Sequence, residues 1–185
     1  MPIKKVVGIA GMPGAGKTLA ANIARQMNFE VIVMGDVVRE EAKRRGLTPT
    51  PENLGRLMLQ MRKEKGQAVI AKKCIPKVEE SKSNFVIIDG IRSLHEVEEF
   101  RRFFPNFTIL AIYSSPKTRF ERLFKRKRSD DPEKWAAFLE RDRRELKVGL
   151  GHVLALADHL IINEDSKTEF KKKVMEFLRK VIENG

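Results

Sequence analysis

The run Val6-Val-Gly-Ile-Ala10-Gly11-Met-Pro-Gly-Ala-Gly16-Lys17-Thr18-Leu19-Ala20 decides the fold. Val6–Ala10 is short, apolar and partly β-branched, so it reads as a strand. Leu19, Ile23 and Met27 then recur every fourth residue beside Ala20 and Ala24, which predicts an amphipathic helix over 17–27. The turn between them fits G-x-x-x-x-G-K-[ST], and a strand before it with a helix after it is the context that motif requires. Gly11, Gly14 and Gly16 accept backbone angles closed to other residues and let an anionic oxygen approach the amides. Those amides and the positive helix end make an anion-binding nest. Gly11, Met12, Pro13, Gly14, Ala15, Gly16, Lys17 and Thr18 are therefore the candidate binding site for the phosphates of ATP. Lys17 is expected to reach the β- and γ-phosphates, and Thr18 to offer its hydroxyl to Mg²⁺.

Outward from this loop, apolar runs alternate with helical stretches, the pattern of an α/β domain with a mostly parallel sheet. Further strands are predicted at Glu30–Met34, Phe85–Asp89, Thr108–Tyr113 and His159–Asn163. They are continuous apolar runs, as expected of strands covered on both faces. Leu54, Leu57, Met58 and Met61 mark one helix; Phe170, Val174, Phe177, Leu178 and Val181 mark a long C-terminal one. Ser166, with Glu169 three residues on, reads as its cap. Two segments stand outside the simple alternation, residues 36–80 and residues 116–157, each expected to hold several helices. Excursions beyond the strand ends of an α/β sheet are where substrates are usually held.

Three further stretches carry chemistry. Phe85-Val-Ile-Ile-Asp89 puts a carboxylate at the tip of an apolar strand, where it can hold Mg²⁺ through water. Met34-Gly35-Asp36-Val37-Val38-Arg39 ends the second strand. Residues 119–128 contain six bases and one acid. On a helix, Arg119, Arg122 and Arg126 share one face, with Phe120, Leu123 and Phe124 on another to anchor it. Arg141, Arg143 and Arg144 follow on a helix anchored by Trp135 and Leu139, interleaved with acids that could equally make surface ion pairs.

The Gly35–Arg39 segment is similar to the Thr-Gly-Asp-x-Leu-Arg of adenylate kinases, and Asp89-Gly90-Ile91-Arg92 resembles their Asp-Gly-Phe-Pro-Arg without the proline. The basic stretch resembles their lid arm. Ala157-Asp158-His159-Leu-Ile-Ile-Asn163 resembles the last strand of dephospho-CoA kinases. The chain thus resembles an adenylate-kinase-related, dephospho-CoA-kinase-like family. The resemblance implies a three-layer P-loop NTPase fold of the nucleotide-kinase kind, with a five-stranded parallel sheet. Residues 1–185 would be one such domain, with an acceptor-binding insertion at about 36–80 and a lid at about 116–157. It implies that Arg39 and Arg92 hold the acceptor, that Asp36 lies beside it, and that Arg122 and Arg126 close over the transferring phosphate. Thr18 and Asp89 are the expected Mg²⁺ ligands.

The 185 residues are 42% hydrophobic and 34% charged, which excludes disordered and fibrous chains. No apolar run approaches a bilayer span and no signal-peptide layout opens the chain, so a soluble cytoplasmic protein with no membrane partner is expected. Cys74 is the single cysteine, leaving no intramolecular disulfide; it reads as a buried small hydrophobe. His95, His152 and His159 show no ligand spacing. A net charge of +12 points to an anionic partner. The leading expectation is a Mg²⁺-dependent transfer of the ATP γ-phosphoryl to a small nucleotide-like acceptor, with Lys17, Asp36, Arg122 and Arg126 as catalytic groups. Its rivals are a nucleotide-dependent regulator or nucleic-acid binder, disfavoured by the single tyrosine and lack of an aromatic RNA motif, and an ATPase whose acceptor is water. Oligomeric state is left open.

Overall fold

The computed structural model describes residues 4–128 and 131–183. Five strands, β1 (Lys5–Ala10), β2 (Glu30–Val33), β3 (Phe85–Ile91), β4 (Thr108–Tyr113) and β5 (His159–Ile162), pair in parallel in the order β2-β3-β1-β4-β5. The helices are α1 (Lys17–Gln26), α2 (Met34–Arg44), α3 (Pro51–Lys65), α4 (Val69–Glu80), α5 (Leu94–Phe103), α6 (Pro116–Arg126), α7 (Trp135–Val148), α8 (Leu150–Ala155) and α9 (Lys167–Glu183).

All five expected strands are present, with shifted ends. Met34 opens α2 rather than closing β2, and β3 runs two residues past Asp89. The C-terminal helix begins as expected, the amide of Glu169 donating to Ser166 Oγ at 3.2 Å. Residues 36–80 are taken up largely by α2, α3 and α4, and 116–157 by α6, α7 and α8.

The strands are apolar throughout because both faces are covered. Val7 and Ile9 of β1, Ile87 of β3, and Leu110 and Ile112 of β4 pack with Ala20, Ile23 and Ala24 of α1 and Phe170, Val174 and Phe177 of α9. The intervening Val6, Ala10, Val86, Ile88 and Ile109 face the other way, onto α4, α5 and α8. This is the alternation of a strand, with a helical layer for each face. Gly8 is required by packing: a Cβ there would lie 2.6 Å from Phe107 Cζ.

The topology places the site. From β1 the chain builds β2 and β3 on one side and then crosses over to β4 on the other. The strand order therefore reverses at β1, and the carboxyl end of such a strand opens on a crevice where α/β proteins hold ligands. The Gly-rich turn leaves the sheet at that point.

Candidate nucleotide-binding site

The turn wraps the start of α1. Gly14 and Gly16 sit at φ +83° and +115°, in the left-handed region that L side chains rarely adopt. Gly16 is the N-cap of α1, with no side chain capping the helix, so the first amides of α1 remain aimed at whatever anion the loop holds. Lys17 Nζ donates to the carbonyls of Gly11 at 2.6 Å and Met12 at 3.2 Å. Burial pulls the ammonium pKa from 10.5 down to about 8. The charges acting on it are Asp89, Arg92, Glu145 and Arg141 in that order, the two acids opposing the shift and the two arginines adding to it.

That ranking draws the site. Asp89 lies across the register from Ile9, beside the last turn of β1 before the loop. Its carboxyl pKa is raised by burial, against the pull of Lys17. A hard carboxylate and the exposed Thr18 at the head of α1 are oxygen donors of the kind Mg²⁺ takes, so the residues present fit that ion. Arg92 follows β3. Its Nη1 contacts Met58 Sδ of α3 at 3.4 Å, and its Nε stands 3.7 Å from Glu145 of α7. Its guanidinium is thus half-buried between two helices, with Glu145 as a loosely held carboxylate partner.

Asp36 and Arg39 come together one helical turn apart at 2.5 Å, both more than half exposed. They line a groove of about 680 Å³ with Glu40, Lys43, Leu47 and Thr48, beyond the tip of β2.

The arginine row of α6 is arranged differently from the expectation of a projecting face. Arg119 is buried. It makes a two-pronged pair with Asp142 at 2.6 and 2.9 Å, lies 4.9 Å from the centre of the Phe138 ring, and donates to the carbonyls of Ser114 and Pro13. Arg122 is tied to Ser114 Oγ and the Asn163 carbonyl, both at 2.9 Å. Arg126 pairs with Asp131 at 2.5 Å. Phe138 is the buried anchor of α7, and Trp135, 44% exposed, stacks on it at 5.0 Å. Aromatic contacts link Phe120 to Trp135 and Phe138.

Sequence reading put Arg119 on the basic face of α6 but missed its buried pairing with Asp142, and it gave Glu145 and Asn163 no part in the site. The 23 residues from Arg119 to Asp142 and the 148 from Ala15 to Asn163 leave no local pattern to find. A buried pair behind the loop after β3 was half legible: Ser93-Leu-His-Glu96 is a capping box, and Glu96 also takes Arg62 Nη2 at 2.9 Å.

A family model described as an AAA domain matches residues 10–137. A UPF0200 protein of Methanothermobacter thermautotrophicus is 47% identical over 180 residues, 97% of this chain and 92% of its own length. One of Hyperthermus butylicus is 45% identical over 180 residues, covering 97% and 96%. Among solved structures, a shikimate kinase from Bacteroides thetaiotaomicron superposes with a TM-score of 0.65 at 16% identity, over 96% of this chain and 98% of that one. A gluconokinase from Sinorhizobium meliloti gives 0.54 at 13%, over 99% and 95%. At such identities the likeness is one of fold, a three-layer P-loop kinase fold with a five-stranded parallel sheet. By the end-to-end relatives and by the match over residues 10–137, the chain belongs to the UPF0200 family and carries the AAA domain.

Proposed function

We propose that this chain is a Mg²⁺-dependent phosphotransferase that moves the γ-phosphoryl group of ATP to a small nucleotide-like acceptor. The observation that carries the reading is the convergence of Lys17, Asp89 and Arg92 at the mouth of the loop that follows the central strand. The loop amides and Lys17 hold the donor phosphates. Thr18 and Asp89 would hold Mg²⁺, which when bound neutralises charge on the phosphate oxygens.

The acceptor oxygen attacks the γ-phosphorus as the bond to the bridging β–γ oxygen breaks, leaving ADP. Lys17 offsets the charge that develops on the leaving group. Arg92, half-buried and 3.7 Å from Glu145, takes the anionic part of the acceptor together with Arg39, which stands beside Asp36 in the groove beyond β2. A guanidinium suits that task because it donates two parallel hydrogen bonds to a phosphate. Asp36 orients an acceptor hydroxyl, or takes its proton where there is one to lose. Residues 36–80 act as the acceptor insertion and 116–157 as the lid, whose Arg122 and Arg126 exchange their present partners for the transferring phosphate. The likeness of residues 35–39 and 89–92 to adenylate kinases supports a nucleotide-like acceptor, and the kinase fold supports transfer rather than binding alone.

The net charge of +12 favours a second reading, a nucleotide-dependent regulator that grips a nucleic-acid backbone. A labelled-ATP screen against nucleosides, nucleotides and dephospho-CoA, read by mass spectrometry, separates these. Product that requires an added acceptor supports the kinase. Phosphate release without one supports an ATPase. Salt-sensitive RNA binding with neither product supports the regulator. Lys17→Ala should cut turnover by about 10²-fold or more; an unchanged rate would refute the scheme.

A further inference from the structure

We propose that Asn163 and Arg119 are positioning residues that set the phosphate loop from behind, turning the amides of Gly14 and Gly16 toward the anion before any nucleotide arrives. The inference rests on the nucleotide-binding reading of the loop and adds to it a built-in brace.

The carbonyl of one residue and the amide of the next lie in one rigid plane and point in opposite directions. Whatever anchors a carbonyl of the loop therefore aims the following N–H. The Ala15 carbonyl accepts from Asn163 Nδ2 at 2.8 Å and lies 3.4 Å from Ser114 Oγ. That aims the amide of Gly16 the other way. The Pro13 carbonyl accepts from Arg119 Nη1 at 3.2 Å, which aims the amide of Gly14. Lys17 holds the Gly11 and Met12 carbonyls, and the Gly16 carbonyl enters the α1 ladder. The Gly11, Met12, Pro13, Ala15 and Gly16 carbonyls are thus engaged, and the Ala15 amide closes on the Met12 carbonyl at 3.1 Å, which leaves the amides of Gly14 and Gly16 for a ligand.

Both braces are themselves fixed. Asn163 follows β5; its amide donates to the Tyr113 carbonyl at 2.8 Å, and its own carbonyl accepts from Ser114 Oγ at 2.7 Å and from Arg122 at 2.9 Å. It is 5% exposed. Arg119, 3% exposed, is locked by Asp142 of α7. The same contacts explain two glycines. A Cβ on Gly16 would lie 2.5 Å from Asn163 Nδ2, and one on Gly14 would lie 2.8 Å from the Arg119 carbonyl. Gly14, which the loop motif leaves unspecified, is demanded by the helix pressed against it.

The test uses the full-length protein with MgADP and with inorganic tripolyphosphate, which probes the loop without a base. The variants are Asn163→Ala and Arg119→Lys; the latter keeps the charge beside Asp142 but has one donor head in place of a five-donor fork. Calorimetry, run where melting curves show each variant folded, should find each probe bound about tenfold more weakly, the loss expected of one well-placed hydrogen bond. In nitrogen–proton correlation spectra of the ligand-free variants, the Gly14 and Gly16 amide peaks should shift or broaden, a readout that a purely structural role elsewhere would not move. Affinities within twofold of the parent, with those two peaks in place, would overturn the proposal. If Arg119→Lys does not fold, Asn163→Ala decides alone. If the parent binds neither probe, the proposed function fails while the spectra still decide the brace.

Discussion

Replacing Lys17 with methionine should stabilise the fold while abolishing nucleotide binding. Methionine keeps the length of the side chain and removes its charge. Burial lowers the Lys17 pKa from 10.5 to about 8. At about 1.4 kcal/mol per pH unit, that gap corresponds to ~3 kcal/mol held against the folded state. Lys17 is only partly buried by surface area, so solvent screening trims the effect to about 2 kcal/mol. Below pH 8 the amine is protonated in both states, and folding must desolvate a cation. Between pH 8 and 10.5 the folded protein has released that proton and the unfolded chain has not, so stability rises with pH across this window. Urea unfolding of the parent and Lys17→Met, followed at pH 7, 8, 9 and 10, isolates the contribution as a difference. The variant should be more stable by about 1–2 kcal/mol at pH 7, after allowing for the lost hydrogen bonds to the Gly11 and Met12 carbonyls. The gap should close by pH 10. Binding of MgADP to the variant at pH 7 should weaken by about 10²-fold or more. A gap that does not change with pH, or a variant less stable than the parent at pH 7, would refute the desolvation of Lys17. Such a stabilised but inactive variant is the expected signature of a functional group held at a cost to the fold.

Asp142→Ala leaves Arg119 buried with carbonyl partners only, and should cost about 3–5 kcal/mol in urea unfolding; a cost under about 1 kcal/mol would mean that the pair is solvated. Asp89→Asn should lower Mg²⁺-dependent ATP turnover by about 10²-fold. It should leave tripolyphosphate binding without Mg²⁺ unchanged or slightly tighter, because a negative charge near Lys17 has gone; parallel loss of both would assign Asp89 to the fold instead. Cys74 is fully buried and its thiol is pushed up to about 12. A thiol reagent at pH 8 should therefore modify the protein only as fast as it unfolds, a rate that added denaturant should raise.

Much of the fold was legible because it is written in local periods. The apolar runs of β1, β3 and β4, buried on both faces, look the same in the sequence as in the sheet. The spacing of Leu19, Ile23 and Met27 follows the helical period of α1 whatever packs against it. The phosphate loop is equally local: its glycines, lysine and threonine fall within Gly11–Thr18, and the positive φ of Gly14 and Gly16 belongs to the turn itself. The strand ends slipped where geometry and hydropathy part company. Met34 is apolar enough to extend β2 but supplies the first turn of α2.

The site was legible only in part. Lys17 and Arg92 follow β1 and β3, and Asp89 stands two residues before the end of β3; a parallel sheet delivers the carboxyl ends of its strands to one edge, so their convergence was foreseeable. The arginines of α6 were not. Helical spacing placed Arg119, Arg122 and Arg126 on one face, yet it cannot say whether a carboxylate waits across that face. Asp142 does, and it draws Arg119 into the interior; Asp131 takes Arg126; the ends of β4 and β5 take Arg122. The strands, the helices and the anion-binding turn were legible along the chain, because each depends on neighbours within a few residues. Which charges are buried, which of them pair, and that Asn163 stands behind Gly16 are set by packing between distant segments. Those facts depend on the crossover that brings β4 alongside β1 and β5 alongside β4, and distance along the chain carries no trace of it.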